Sequence, residues 1–210
     1  MTMNKKAVIL YASRTGNTEK VAGAFRQVLE KHGWTCDVFK IDPATDPAKP
    51  PFDLNDYDFL CVGSPVVGSL PEKHMVRILS RNPLSPHARN ADFFVSDEGE
   101  RAPRNLMSIA AEPVVDETPL VIRFGPGSKK GIVFVTFGGV HLGLKEAEPA
   151  LALLALEMEH LRFRCLGRFA CPGRMGKSAG WYEDLPLRPN ETDLLEAARF
   201  LEEILADTEA

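Results

Sequence analysis

Ser13, Arg14, Thr15, Gly16, Asn17 and Thr18 place three hydroxyls, one amide and one glycine in six consecutive positions. They lie between an apolar run and a stretch with helical periodicity. A phosphate group needs several convergent donors, and a helix N-terminus supplies unpaired N–H groups and a favourable dipole. Gly16 lets the backbone curl close to such an anion. Hydrogen bonds to a charged group contribute about 1.5–3 kcal/mol each, so a handful could hold a phosphate without lysine. The plain alternative is a capped turn with no ligand. One hydroxyl is enough for a cap, and the others would then be surplus.

Other phosphate and nucleophile templates fail on this sequence. A dinucleotide loop needs G-x-G-x-x-G after the first strand, and residues 13–18 hold one glycine. The nearest approach to a Gly-Lys-Ser/Thr loop, at residues 125–130, precedes a strand and has the wrong order. A receiver domain needs an aspartate at the end of its third strand, where this chain has Val62 and Gly63. No G-x-S-x-G elbow occurs. The four cysteines, Cys36, Cys61, Cys165 and Cys171, form neither a CxxC pair nor a zinc spacing. Cys165 and Cys171 could be a redox couple, but reduced thiols are the expectation, and no metal site is expected.

The elements that would position the loop follow from hydrophobic patterning. Residues 5–12 form a continuous apolar run and predict a strand buried on both faces. Val21, Ala22, Phe25, Val28 and Leu29 recur at helical steps, and His32-Gly33 stops that helix. Further strands are predicted over 35–41, 57–62, 130–136 and 163–169, the third ending at Gly63-Ser64-Pro65. Helices are predicted over 71–80, 147–161 and 191–206, with Asn190 capping the last and Asp193 three residues on. Regular alternation of apolar strands with helices means a parallel sheet between two helical layers. The chain reads as one α/β domain over residues 1–210, interrupted by an ordered insertion at about 82–128.

Composition limits the function classes. In 210 residues, 44% are hydrophobic and 26% charged, which suits a globular core and excludes general disorder. Basic and acidic side chains number 25 and 29, leaving −4, without the basic excess of a nucleic-acid binder. No apolar run approaches the roughly 18–20 residues of a membrane span. The start of the chain runs straight into a core strand and does not read as a signal peptide. A soluble, cytoplasmic protein is the expectation.

In a parallel α/β sheet, ligands bind beyond the carboxyl ends of the strands. The loops after the first, third and fourth long strands are therefore the candidate site. The block VILYASRTGNTEKVA resembles the phosphate-binding loop of flavodoxin-like proteins, S/T-x-T-G-x-T after the first strand. YDFLCVGSPVVGSLPEK is similar to that family's second flavin loop, and IVFVTFGGVHLG to its third. The resemblance implies a flavodoxin-like three-layer sandwich with a five-stranded parallel sheet in the order 2-1-3-4-5. It also implies FMN as cofactor, with Ser13, Thr15, Gly16, Asn17 and Thr18 on the phosphate. Arg14 lies in the same loop and could neutralise the phosphate, although the family's equivalent side chain generally points outward. Ser64, Pro65, Val66, Val67 and Gly68 would hold the isoalloxazine ring, with Thr136, Phe137, Gly138, Gly139 and His141. His141 could offer a proton or hydrogen bond to a bound flavin or quinone; otherwise it is a surface histidine. Trp181-Tyr182 could cover a flavin, or simply pack.

Two departures shift the resemblance toward the larger flavodoxin-like group, which includes NAD(P)H:quinone and FMN reductases. Val66 and Val67 stand where small electron carriers usually have an aromatic residue, and −4 is a modest charge for a carrier. The leading expectation is an FMN flavoprotein that exchanges electrons with a redox partner protein or small acceptor, with no catalytic side chain required. An NAD(P)H-dependent reductase is the alternative among enzymes. A flavodoxin-fold binding protein without cofactor is the alternative from another class. The insertion carries Phe93, Phe94, Leu120, Val121, Ile122 and Phe124. These must pack on the domain, on the ring or on a second subunit of a homodimer, and residues 83–124 are expected to wall the flavin site.

Overall fold

The computed structural model describes residues 5–85, 128–138, 142–173 and 188–209. Of the insertion expected at about 82–128, residues 86–127 lie outside them, as do Gly139, His141, Trp181 and Tyr182. In chain order the elements are β1 (Lys6–Tyr11), α1 (Asn17–Lys31), β2 (Thr35–Lys40), β3 (Phe59–Val67) and β4 (Leu70–Pro71). They continue with α2 (Lys73–Ser80), β5 (Lys130–Phe137), α3 (Glu148–His160), β6 (Arg164–Pro172) and α4 (Glu191–Glu209). Five strands pair in parallel in the order β2-β1-β3-β5-β6, and β4 adds an antiparallel flap to β3. Counting only the parallel strands, this is the 2-1-3-4-5 order expected from the sequence.

Alternating side chains of each strand feed two separate cores. Val8 and Leu10 of β1 join Met75, Leu79, Leu154 and Met158 on the side of α2 and α3. Ala7, Ile9 and Tyr11 join Phe25, Leu29, Leu201 and Leu205 on the side of α1 and α4. This two-sided burial is why the strands read as unbroken apolar runs. It also separates Cys165, which packs on the first side, from Cys171 on the second. The two thiols face opposite layers of the sheet, so the strand excludes them as a redox couple. All four cysteines are free, and burial pushes the Cys171 thiol up to about 12.

The boundaries predicted after Val62 are corrected. The third strand does not end at Gly63-Ser64-Pro65 but runs five residues past Val62, to Val67. Gly63, Ser64 and Pro65 still pair with Phe134, Val135 and Thr136 of β5. On its other side β3 has lost β1, whose pairing stops at Tyr11 opposite Gly63. Pro65 thus occupies a locally exposed edge, where a missing N–H breaks no ladder. The following helix starts at Lys73 rather than Pro71, which belongs to β4.

The cap expected for the last helix is present and reciprocal. Asn190 N–H donates to Asp193 Oδ2 at 2.8 Å, and Asp193 N–H donates to Asn190 Oδ1 at 3.1 Å. Arg188 also donates to both oxygens of that carboxylate, from Nε at 2.8 Å and from Nη2. Burial pulls the Asp193 carboxyl up, but the Arg188 and Asn190 bonds outweigh it and hold it below the usual aspartate value. A depressed folded-state pKa means the contribution is full above the unfolded value near 4 and is lost as pH falls through the folded one. Asp193→Asn is expected to cost about 1–2 kcal/mol at pH 7. The gap to wild type should close on acidification below about pH 4, read by urea unfolding at several pH values. A gap independent of pH would contradict this assignment.

Candidate functional site

The carboxyl ends of β1, β3 and β5 lie side by side, and three chain segments converge there. The first is the loop at residues 13–18. Ala12 N–H donates to Gly63 O at 2.9 Å, which prolongs the β1–β3 ladder by one residue and then releases the chain. Gly16 sits at φ 83° and serves as N-cap of α1. A side chain there would be strained in this left-handed conformation, so glycine is required for the turn. It offers no side-chain oxygen, and α1 starts without a side-chain cap hydrogen bond. The N-terminus of α1, the positive end of its dipole, thus opens onto the loop. Gly16 N–H donates to Ser13 Oγ at 3.1 Å, closing the loop into a tight curl. Thr15 and Arg14 are exposed, and Ser13 and Asn17 are half-buried.

Thr18 is placed differently from its neighbours. Its side chain is buried, with Oγ1 2.8 Å from the equally buried Thr136 Oγ1 of β5. The pair pins the start of α1 to the end of β5. Thr18 falls on the same helical stripe as Val21, Ala22 and Phe25, and that periodicity is the signal in the sequence that gives its direction.

The second segment is a hairpin instead of an open loop. Ser64, Pro65, Val66 and Val67 belong to β3, and only Gly68 and Ser69 form the turn to β4. Both turn residues have positive φ, 56° and 65°, as two-residue hairpins of the primed type require. Val67 and Leu70 are exposed on its arms, and Val66 packs partly against the core. Ser64 is buried at the base, where its Oγ accepts Glu72 N–H at 2.7 Å and donates to Pro65 O at 2.9 Å.

The third segment is the end of β5, where Thr136 and Phe137 are buried and Gly138 is half-buried. A further contact comes from Gly173, just beyond β6, which sequence reasoning passed over. Its N–H donates to Phe137 O at 2.8 Å. A Cβ on it would stand 2.7 Å from Asn17 Nδ2, so the glycine makes room for the Asn17 amide beside the first loop.

Arg14 and Glu72 were also not foreseen as a pair. Arg14 Nε donates to Glu72 Oε2 at 2.5 Å, and this bond raises the Arg14 pKa. Beside them a cavity of about 150 Å³ is lined by Ser13, Arg14, Asp42, Glu72 and His74. Taken together, residues 13–17 offer hydroxyl, amide and backbone donors suited to a phosphate. The hairpin and the β5 end, at the same end of the sheet, offer the apolar side chains of Val66, Val67 and Phe137.

The sequence pattern of the flavodoxin family matches residues 9–83, from inside β1 to just past α2. That span contains the first loop and the hairpin. No curated protein matches the chain in sequence. Among solved structures, the chain is similar to a flavodoxin from the domain Archaea. That likeness has 16% identity and a TM-score of 0.51, covering 98% of this chain and 99% of that one. It is also similar to oxidised flavodoxin 2 from Bacillus cereus, at 14% identity and TM-score 0.55, over 96% and 99%. A rubredoxin oxygen:oxidoreductase from Desulfovibrio gigas matches over 96% of this chain but 37% of its own, at 18% identity and TM-score 0.50. The chain has the flavodoxin fold, and residues 9–83 match the sequence pattern of the flavodoxin family. Among the described residues, no helix is long and apolar enough to cross a membrane.

Proposed function

We propose that this chain binds FMN and exchanges electrons through it with a redox partner protein or a small acceptor. The observation that carries the reading is the loop at residues 13–18. It sits at the carboxyl end of β1, turns on a left-handed Gly16 and opens α1 without a side-chain cap. The donor set fits a phosphate monoester: the hydroxyls of Ser13 and Thr15, the Asn17 amide and the first-turn N–H groups. The hairpin residues Pro65, Val66, Val67 and Gly68 and the β5 end at Thr136, Phe137 and Gly138 would flank the ring and keep water from one edge. The match to the flavodoxin family over residues 9–83 supports this reading, since it spans both the loop and the hairpin. When bound, the flavin itself supplies the electron exchange. This chain's residues bind the phosphate, orient the ring and set its surroundings.

The test is the absorption spectrum of the purified protein before and after FMN is added, then after NAD(P)H. Uptake of FMN without bleaching by NAD(P)H is the expected result for an electron carrier. Rapid bleaching would indicate the reductase alternative. A protein that purifies colourless and takes up no FMN would overturn the reading in favour of a binding protein without cofactor.

A further inference from the structure

Arg14 and Glu72 are 58 residues apart in sequence and belong to different sides of the candidate site. The Glu72 side chain is only 8% exposed, against 59% for Arg14. A carboxylate so covered needs a partner, because an uncompensated buried charge is strongly unfavourable. Arg14 reaches in from solvent to supply it. From Glu72 the chain of bonds continues, since its own N–H donates to Ser64 Oγ and Ser64 O–H donates to Pro65 O. A hydrogen-bonded path therefore runs from the loop after β1, through the residue that opens α2, to the base of the hairpin.

We propose that Glu72 is a positioning residue: through Arg14 and Ser64 it sets the spacing between the phosphate loop and the ring-side hairpin. The proposal rests on the FMN reading above. A ligand that spans two subsites gains from engaging both only when their separation matches its own. Ligands that touch one subsite gain nothing from the link. Glu72 is thus expected to matter for FMN and not for its halves. The arginine in the loop serves the carboxylate rather than the phosphate.

The experiment compares wild type with Arg14→Gln, Glu72→Gln, the double variant and the conservative Arg14→Lys. Each single glutamine variant is expected to bind FMN about tenfold more weakly, with little further loss in the double, as coupled partners behave. Riboflavin and inorganic phosphate, titrated separately, should each stay within about twofold of wild type. Arg14→Lys should recover most of the FMN affinity. Amide hydrogen exchange on the ligand-free proteins gives an independent reading. Arg14→Gln should speed exchange in the hairpin, residues 64–72, although it lies in another loop. Parallel losses for FMN and riboflavin, additive losses in the double variant, or unchanged hairpin exchange would each overturn the proposal. If wild type takes up no FMN, the functional reading fails instead, and the exchange data alone decide whether the two loops are tied.

Discussion

Thr15→Val is expected to weaken FMN binding by about 1.5–3 kcal/mol, the contribution of one hydrogen bond to a charged group. Thr15 is exposed on the first loop, so its loss should leave the fold intact. Riboflavin, which lacks the phosphate, should bind the variant almost as it binds wild type. Thr18→Val should behave differently although the resemblance treats both threonines as phosphate donors. Thr18 Oγ1 bonds Thr136 Oγ1 in the interior, so valine leaves the Thr136 hydroxyl buried without that partner. The cost there is about 1–3 kcal/mol of stability, by the usual penalty for an orphaned polar group. Thr18→Val should lower the denaturation midpoint, and Thr15→Val should not. Equal losses for FMN and riboflavin in the Thr15 variant would remove the phosphate from residues 13–18.

The second large effect is expected at the core end of the site. A Cβ added to Gly63 would stand 2.1 Å from Phe134 Cζ, far inside any real contact. Phe134 is fully buried and cannot swing away, because Phe25 packs edge-on against it with ring centroids 5.0 Å apart. Gly63→Ala must therefore distort β3 or expel the ring, and overpacking of this severity costs about 3 kcal/mol or more. Adding Phe134→Leu should return part of the loss by clearing the ring from the new methyl group. Urea unfolding of the single and double variants checks both statements. A single variant as stable as wild type would contradict the packing described here.

Much of this architecture was legible from residue types alone because the sheet is buried on both faces. Residues 5–12, 57–62 and 130–136 have no polar alternation to confuse with a helix, and the glycine after His32 marks the end of α1. The cap of α4 was legible for a local reason, since Asn190 and Asp193 meet within one turn. The course of β3 was not. Gly63-Ser64-Pro65 has turn composition, and only its pairing with β5 and the loss of β1 on its other edge make it strand. The direction of Thr18 could have been read from its place on the buried stripe of α1. The Arg14–Glu72 pair and the seat of Asn17 against Gly173 could not, because each joins segments far apart in sequence with no periodicity to announce them.

The central claim is that residues 13–18 hold the phosphate of a flavin mononucleotide. The measurement that tests it most directly is a pair of titrations of the unmodified protein, with FMN and with riboflavin, followed by quenching of flavin fluorescence. FMN is expected to bind at least about a hundredfold more tightly than riboflavin, since several charge-assisted bonds to the phosphate each contribute about 1.5–3 kcal/mol. Equal affinities for the two flavins, or no binding of either, would contradict it.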